Sequence, residues 1–354
     1  MEKQQSNQEQ AILLGVPRVQ YGPEGLTPFP YCLSACANYL GIDVSYDYTM
    51  VASGAAFRLT WDETNWNLGN VDTIFTYSVP ERIYRQGIEA IGCKFELLSR
   101  GRGASKADFI AFIKGQIDKG NPVIALGIIG PPEACIITGY RNSGETLLGW
   151  NFFQDNPEFN AGGTFDESGY FMTEKWWENP DTLAVMSLEP SNGELLDLQV
   201  ILESAIEVMT GRKEGNYAKG MMAYDSWIKA VNNDSEFPEG MILPLLAERL
   251  LTHDDAIDCI ADGRYNAAVF FKKEAVKHPD HKTLFEQVSN HFMSVFESHK
   301  QLFEIAGGWE RGEQQMRQFA RKDVRKRTVT QIQQLKENDN LALERLKQLL
   351  EVLK

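Results

Sequence analysis

The sequence predicts a two-part chain, an α+β domain followed by an all-helical one. Three observations lead there. A short apolar helix pattern bracketed by prolines and a glycine stands near the start, at residues 28–41. Apolar runs of strand length then cluster between residues 123 and 188. From Gly193 onward such runs vanish and 3.6-residue periodicity takes over. The boundaries that follow are a leader at 1–10, an α+β domain at 11–190 and a helical domain at 191–354, a length that suits two sizeable cores.

Met1 to Gln10 is polar and glutamine-rich, and it is expected to be disordered. Pro28 to Gly41 reads PFPYCLSACANYLG. Its prolines should hold the approach extended, so the helix is predicted to begin at Tyr31 or Cys32 and to end at Gly41. Cys32, Leu33, Cys36, Ala37 and Leu40 share one helical stripe. On that reading Cys32 lies in the first turn, where the helix dipole and free N–H groups favour a thiolate and can support an oxyanion. The same position also suits a thiol that only fills the core.

Val51 to Trp61 reads as a turn leading into a strand. Trp61 and Trp66, with Asp62, Glu63 and Asn65 between them, fit either a polar pocket or a surface loop folded over two tryptophans. Pro80 to Ile91 has helical spacing behind a proline. Ser105 and Asp108 form a capping-box pattern for a helix through Lys119, with Phe109, Phe112, Ile113 and Ile117 inward. Val123 to Ile129 is continuously apolar, as a central strand would be, and Gly130, Pro131 and Pro132 turn the chain. Ala134 to Tyr140 and Thr146 to Phe153 follow as strands around the hairpin turn Arg141 to Glu145, with Tyr170 to Met172 and Ala184 to Leu188 as edge strands.

Beyond Pro190 the predicted helices are Leu195 to Met209, Tyr217 to Val231, Ile242 to Ile260, Asn266 to Val276, Thr283 to Ile305, Glu310 to Arg327 and Thr330 to Leu353. Gly220, Ala223, Tyr224 and Trp227 lie along one side of the second, as a packing face. Asp225 and Arg264 fit an internal ion pair or a polar anchor. The leucine-rich face of the last helix should pack on its own domain, because strict heptads are not sustained.

Composition narrows the function. A net charge of -14 argues against nucleic acid or an anionic membrane as partner, and the basic stretch Arg321 to Arg327 reads as the solvated face of a helix. Five irregularly spaced cysteines without a signal peptide point to a reducing cytoplasm rather than a disulfide framework, and no apolar run reaches membrane-spanning length. Cys32 and Cys36 lie at i, i+4 with no second pair at matching spacing, so no metal is expected. No phosphate-loop or G-x-S-x-G motif is present, RGRG at 100–103 reads as a flexible loop, and no cofactor is indicated.

The pieces PYCLSACANYLG, SGAAFRL, NPVIALGI, ACIITGY and LLGWNFF, in that order, resemble the papain-like superfamily. Within it the chain is most similar to the bacterial double-glycine leader peptidases and to the N-terminal domain of the butirosin-type acyltransferases. The likeness spans roughly the first 190 residues. It implies a papain-like fold with Cys32 as nucleophile, Glu133 where those families carry histidine, and Asn151, or else Asp155, at the third position. Glu for His is a departure: all five histidines lie between His253 and His299, and of these His253 is the candidate if the helical domain caps the cleft. A carboxylate beside a thiol raises the thiol pKa, so a thiolate would lean on the helix dipole and on a cation such as Arg58, although a Glu can itself act as acid or base.

The resulting expectation is thiol-dependent acyl chemistry, hydrolysis or acyl transfer, on a small peptide or amide, with an acyl carrier as a further partner. Cys32, Glu133 and Asn151 are the candidate catalytic residues, and Tyr31, Arg58, Trp61 and Asp155 the candidate binding residues. Two alternatives stand beside it: a catalytically inactive papain-like binding protein, and a partner-binding role for the helical domain.

Overall fold

The computed structural model describes residues 9–22, 25–70, 73–191 and 194–354. It is a mixed α+β protein that divides into two compact units. One comprises Met1–Thr49 and Glu81–Leu196, the other Met50–Pro80 and Asp197–Lys354. The expected boundary near Pro190 differs from this division in one respect: residues 50–80 group with the helical half. Residues 1–8 of the expected leader lie outside the described residues, and the Glu9 carbonyl accepts a hydrogen bond from the Ser143 N–H at 2.8 Å.

The first unit is built on an eight-stranded sheet in which every pair is antiparallel. Across it run Leu97–Ser99, Ala184–Met186, Val123–Leu126, Ala134–Arg141, Thr146–Trp150, Phe171–Thr173 and Thr164–Phe165. Ala11–Ile12 pairs with Tyr140 and Gly139, continuing the edge of Ala134–Arg141 that Val123–Leu126 leaves uncovered. Gly149 is required at the centre, since a Cβ there would fall 1.8 Å from the Ile136 carbonyl oxygen. The helix Lys106–Ile117 starts in the capping box its sequence announces: Ser105 accepts from the Asp108 N–H, and the Asp108 carboxylate accepts from the Ser105 N–H. Phe109, Ile113 and Ile117 join Val123, Ala125, Ile137, Tyr140 and Trp176 in one buried cluster.

Several boundaries differ from expectation. Val123–Leu126 stops early because Gly127 and Ile128 turn left-handed, with φ of 88° and 72°. Ala184–Met186 is an interior strand, between Val123–Leu126 and the short strand Leu97–Ser99, which period-2 patterning did not reveal.

The second unit is mainly helical: Leu198–Thr210, Met221–Asn232, Leu243–Lys277, Lys282–Ala306, Glu313–Ala320 and Lys322–Leu353. The expectation of an all-helical domain is corrected by a three-stranded sheet of Lys213–Glu214, Tyr217–Lys219 and Thr60–Asp62. Positive-φ glycines, Gly215 and Gly220, bracket the middle strand and delay the helix to Met221. Ile242 to Val276, expected as two helices, is continuous across its central Gly263, where a Cβ would meet the Ala56 carbonyl at 2.7 Å. The core gathers Leu59, Trp61, Trp66, Tyr224, Trp227, Ile257, Phe319 and Leu335, so the expected packing face of Ala223, Tyr224 and Trp227 is buried here. Among the described residues no helix is long and apolar enough to cross a membrane.

Candidate functional sites

The Cys32 helix runs Pro28–Tyr39, three residues earlier than expected. Its first turn tolerates Pro28 and Pro30 because N–H groups there have no intrahelical acceptor to lose. Cys32 is thereby the fifth helical residue, beyond the turn where the dipole acts most strongly. Gly41, at φ 79°, follows the end as expected, and the Ile42 N–H reaches back to the Ala37 carbonyl at 2.9 Å.

Cys32 is 0% exposed. Burial pushes its thiol pKa well above the usual value, and charge on Cys36, Cys135 and Glu133 pushes the same way. Burial also raises Cys135, to about 12, and Cys36. At neutral pH Cys32 is a thiol. Burial works against the expected thiolate, and the first-turn position that would have favoured it is held by proline and phenylalanine.

Glu133 is the half-buried residue just before the strand Ala134–Arg141, and it is near enough to act on Cys32. Its carboxylate accepts a hydrogen bond from the Tyr21 hydroxyl. The Tyr21 ring is 40% exposed and lies 4.8 Å from Phe152, whose other neighbour is Tyr31 at 6.0 Å. Cys32, Glu133 and Tyr31 are thus brought into one neighbourhood, bordered by aromatic rings. Tyr21 was missed by sequence reading because it belongs to no periodic element.

Asn151 is engaged elsewhere. Its Nδ2 donates to the Gly127 carbonyl at 3.0 Å and its Oδ1 accepts from the Phe153 N–H at 2.8 Å. The Cys135 thiol points at the same Gly127 carbonyl, and the Ile128 N–H donates to the Thr182 hydroxyl. Ile128 is a β-branched residue in left-handed conformation, a strain of about 1–3 kcal/mol, so these bonds pin a strained corner. Asp155 is exposed and paired with Arg18, which lies over the Trp150 ring.

Arg58 and Trp61 belong to the helical unit. Trp61 is a core residue, stacked on Trp227 at 5.8 Å and edge-on to Trp66 at 5.3 Å. Above it Asp62 to Asn65 form a loop whose Asp62 carboxylate accepts from the Thr64 and Asn65 N–H groups, and a pocket of about 80 Å³ opens between this loop, Ser226 and Glu236. Both sequence readings of this stretch therefore hold at once. Trp61, although 3% exposed, and Trp66 are among the residues that line that pocket.

His253 is buried in the helical core, where its Nδ1 accepts from the Trp227 indole N–H at 3.0 Å and its ring stacks on Phe319. Burial lowers its pKa to about 3, so it is neutral. The expected Asp225–Arg264 pair does not form. Asp225 pairs with Lys336, and Arg264 pairs with Asp339 at 2.6 Å, both fully buried, while also donating to the Ala56 and Arg58 carbonyls. Among the described residues no group of three or more His, Cys, Asp or Glu is arranged to hold a metal ion.

No protein-family model and no curated protein matches this chain.

Proposed function

We propose that the α+β unit is a papain-like scaffold that binds a small peptide or amide ligand and does not form a thioester at Cys32. The observation that carries this reading is the state of Cys32: fully buried, past the first helical turn, with its thiol pKa raised by burial and, in the same direction, by the nearby Glu133 carboxylate. Nucleophilic attack needs the thiolate, and a base that takes the proton must return it to the leaving group. Residues 1–252 contain no histidine for that task, and His253 is committed to Trp227. The surface left for recognition is the aromatic border of Tyr21, Phe152 and Tyr31 beside the Glu133 carboxylate.

A second reading, acyl transfer through Cys32, draws on one observation: Glu133 sits close enough to influence the thiol and carries a hydroxyl donor, Tyr21, on its carboxylate. In that scheme the thiol proton passes to Glu133, sulfur attacks the acyl carbon, and the proton is then delivered to the leaving amine. The two readings separate on p-nitrophenyl acetate. Binding without turnover predicts no rapid release of nitrophenol beyond that seen with Cys32→Ala; a burst of one equivalent per chain that Cys32→Ala abolishes supports the transferase and overturns the proposal.

A further inference from the structure

A second site is carried by the helical unit, independently of Cys32. On the helix Met221–Asn232, Ser226, Lys229 and Ala230 recur at i, i+3 and i+4, and Asn233, its C-cap, continues the stripe at i+7. Across the pocket of about 80 Å³ that stripe meets the loop from Asp62 to Trp66, and Glu236 adds a further wall. Trp61, Asp62 and Trp66 are buried lining residues, whereas Thr64, Asn65, Lys229 and Asn233 are exposed, so the pocket opens to solvent.

The walls are fixed by bonds of their own. Asp62 Oδ1 accepts from the Thr64 hydroxyl and N–H and from the Asn65 N–H, and its Oδ2 accepts from the Asn67 amide at 2.8 Å. Glu63 accepts from the Ser226 hydroxyl at 3.1 Å and meets the Lys213 ammonium at 2.5 Å, which ties the loop to the helix. Glu236 Oε2 accepts from the Trp66 indole N–H at 3.0 Å and from Arg249 at 3.1 Å. Asp62 and Glu63 are thus committed to the walls. Groups of both signs remain. The Lys229 ammonium makes no hydrogen bond or ion pair among the described residues, nor does the Asn233 Nδ2, whose Oδ1 serves Ser235. On the acceptor side, Glu236 Oε1 takes no hydrogen bond among the described residues.

A ligand must satisfy both sides at once. An anion alone would face the Glu236 charge, and a cation alone would face Lys229. Size narrows the class further: at roughly 10–15 Å³ for each water-sized group, the pocket takes about five to eight of them. A small amino acid fits that space, and a hexose or a nucleotide does not. We propose that this pocket binds a small free amino acid, its carboxylate on Lys229 and Asn233, its ammonium on Glu236 Oε1, and its carbon atoms toward Trp61 and Trp66. The two charge-assisted contacts fix its orientation, and the indole edges supply the apolar floor.

The test is isothermal titration of the full chain with glycine, alanine and serine in turn, and with acetate and methylamine, which each carry one half of the recognised group. Saturable one-site binding of at least one of the amino acids is expected at roughly millimolar strength or tighter, with acetate and methylamine each weaker by about tenfold or more. Lys229→Gln, at an exposed position, should weaken the amino acid by about tenfold or more. Ala230→Leu, which fills the pocket from a half-buried position, should abolish binding, and Lys326→Gln, an exposed charge on the last helix, should leave it unchanged. Failure of all three amino acids to saturate, or unchanged affinity in either Lys229→Gln or Ala230→Leu, would overturn the site. So would acetate or methylamine binding as tightly as the amino acid, because only one of its two charges would then be read.

Discussion

At the scale of single residues, burial decides what the titratable groups can do. His253 takes a pKa of about 3 in the folded chain against about 6.5 when unfolded, so the unfolded state binds its proton first. Its contribution to stability is intact above about pH 6.5 and is lost as the pH falls toward 3. Asp254, raised by burial to about 6 despite its pairing with Arg311, acts in the opposite sense: over roughly pH 4–6 the folded state binds the proton first. His253→Gln, which keeps an acceptor for Trp227 but does not titrate, should therefore hold its stability to lower pH than the parent, as measured by urea denaturation from pH 7 to 4. Equal pH dependence in both chains would refute this. Asn151→Ala should cost about 1–3 kcal/mol, because the Phe153 N–H loses its acceptor and the strained corner at Gly127 and Ile128 loses a pin. A loss below about 0.5 kcal/mol in a denaturant series would show that the amide is not structural. These roles were hidden from the sequence. The resemblance named Asn151 as a site residue, but which carbonyl an amide meets depends on the left-handed turn at Ile128, and nothing in an apolar run announces that turn.

At the scale of elements, local signals were legible and long-range ones were not. The capping box at Ser105, the terminator at Gly41 and the hairpin at Arg141 are short-range chemistry, and each stands where the sequence put it, the turn being Asn142–Gly144. Ser105→Ala should lower stability by about 1 kcal/mol with no change in fold, checked by the denaturation midpoint. The Cys32 helix shows the opposite case. Prolines were read as a barrier before the helix, whereas they occupy its first turn, and this shift of three residues removes the main electrostatic argument for a reactive thiol. The buried pair Arg264–Asp339 spans 75 residues, and no spacing rule joins them. Arg264→Met alone should cost about 3–5 kcal/mol by stranding the Asp339 charge, and adding Asp339→Leu should recover part of that loss. Additive losses in the double variant would contradict the account.

At the scale of the whole chain, composition gave the α+β and helical halves but not how the sequence is shared between them. The segment 50–80 supplies Leu59, Trp61 and Trp66 to the helical core, an edge strand to its sheet, and the carbonyls that Arg264 binds. A fragment cut at the apparent boundary, residues 191–354, should therefore melt broadly and well below the full chain when followed by circular dichroism. A cooperative melt at the temperature of the intact protein would show that the segment is dispensable. The central claim concerns the other unit, that Cys32 is an inert thiol on a binding scaffold. It is tested most directly by the rate of iodoacetamide alkylation at each of the five cysteines of the native chain across pH, read by peptide mass spectrometry. The account predicts that Cys32 stays unlabelled until the protein is unfolded. Rapid labelling of Cys32, ahead of the partly exposed Cys259 and with a midpoint below about 8.5, would contradict it and restore the nucleophile.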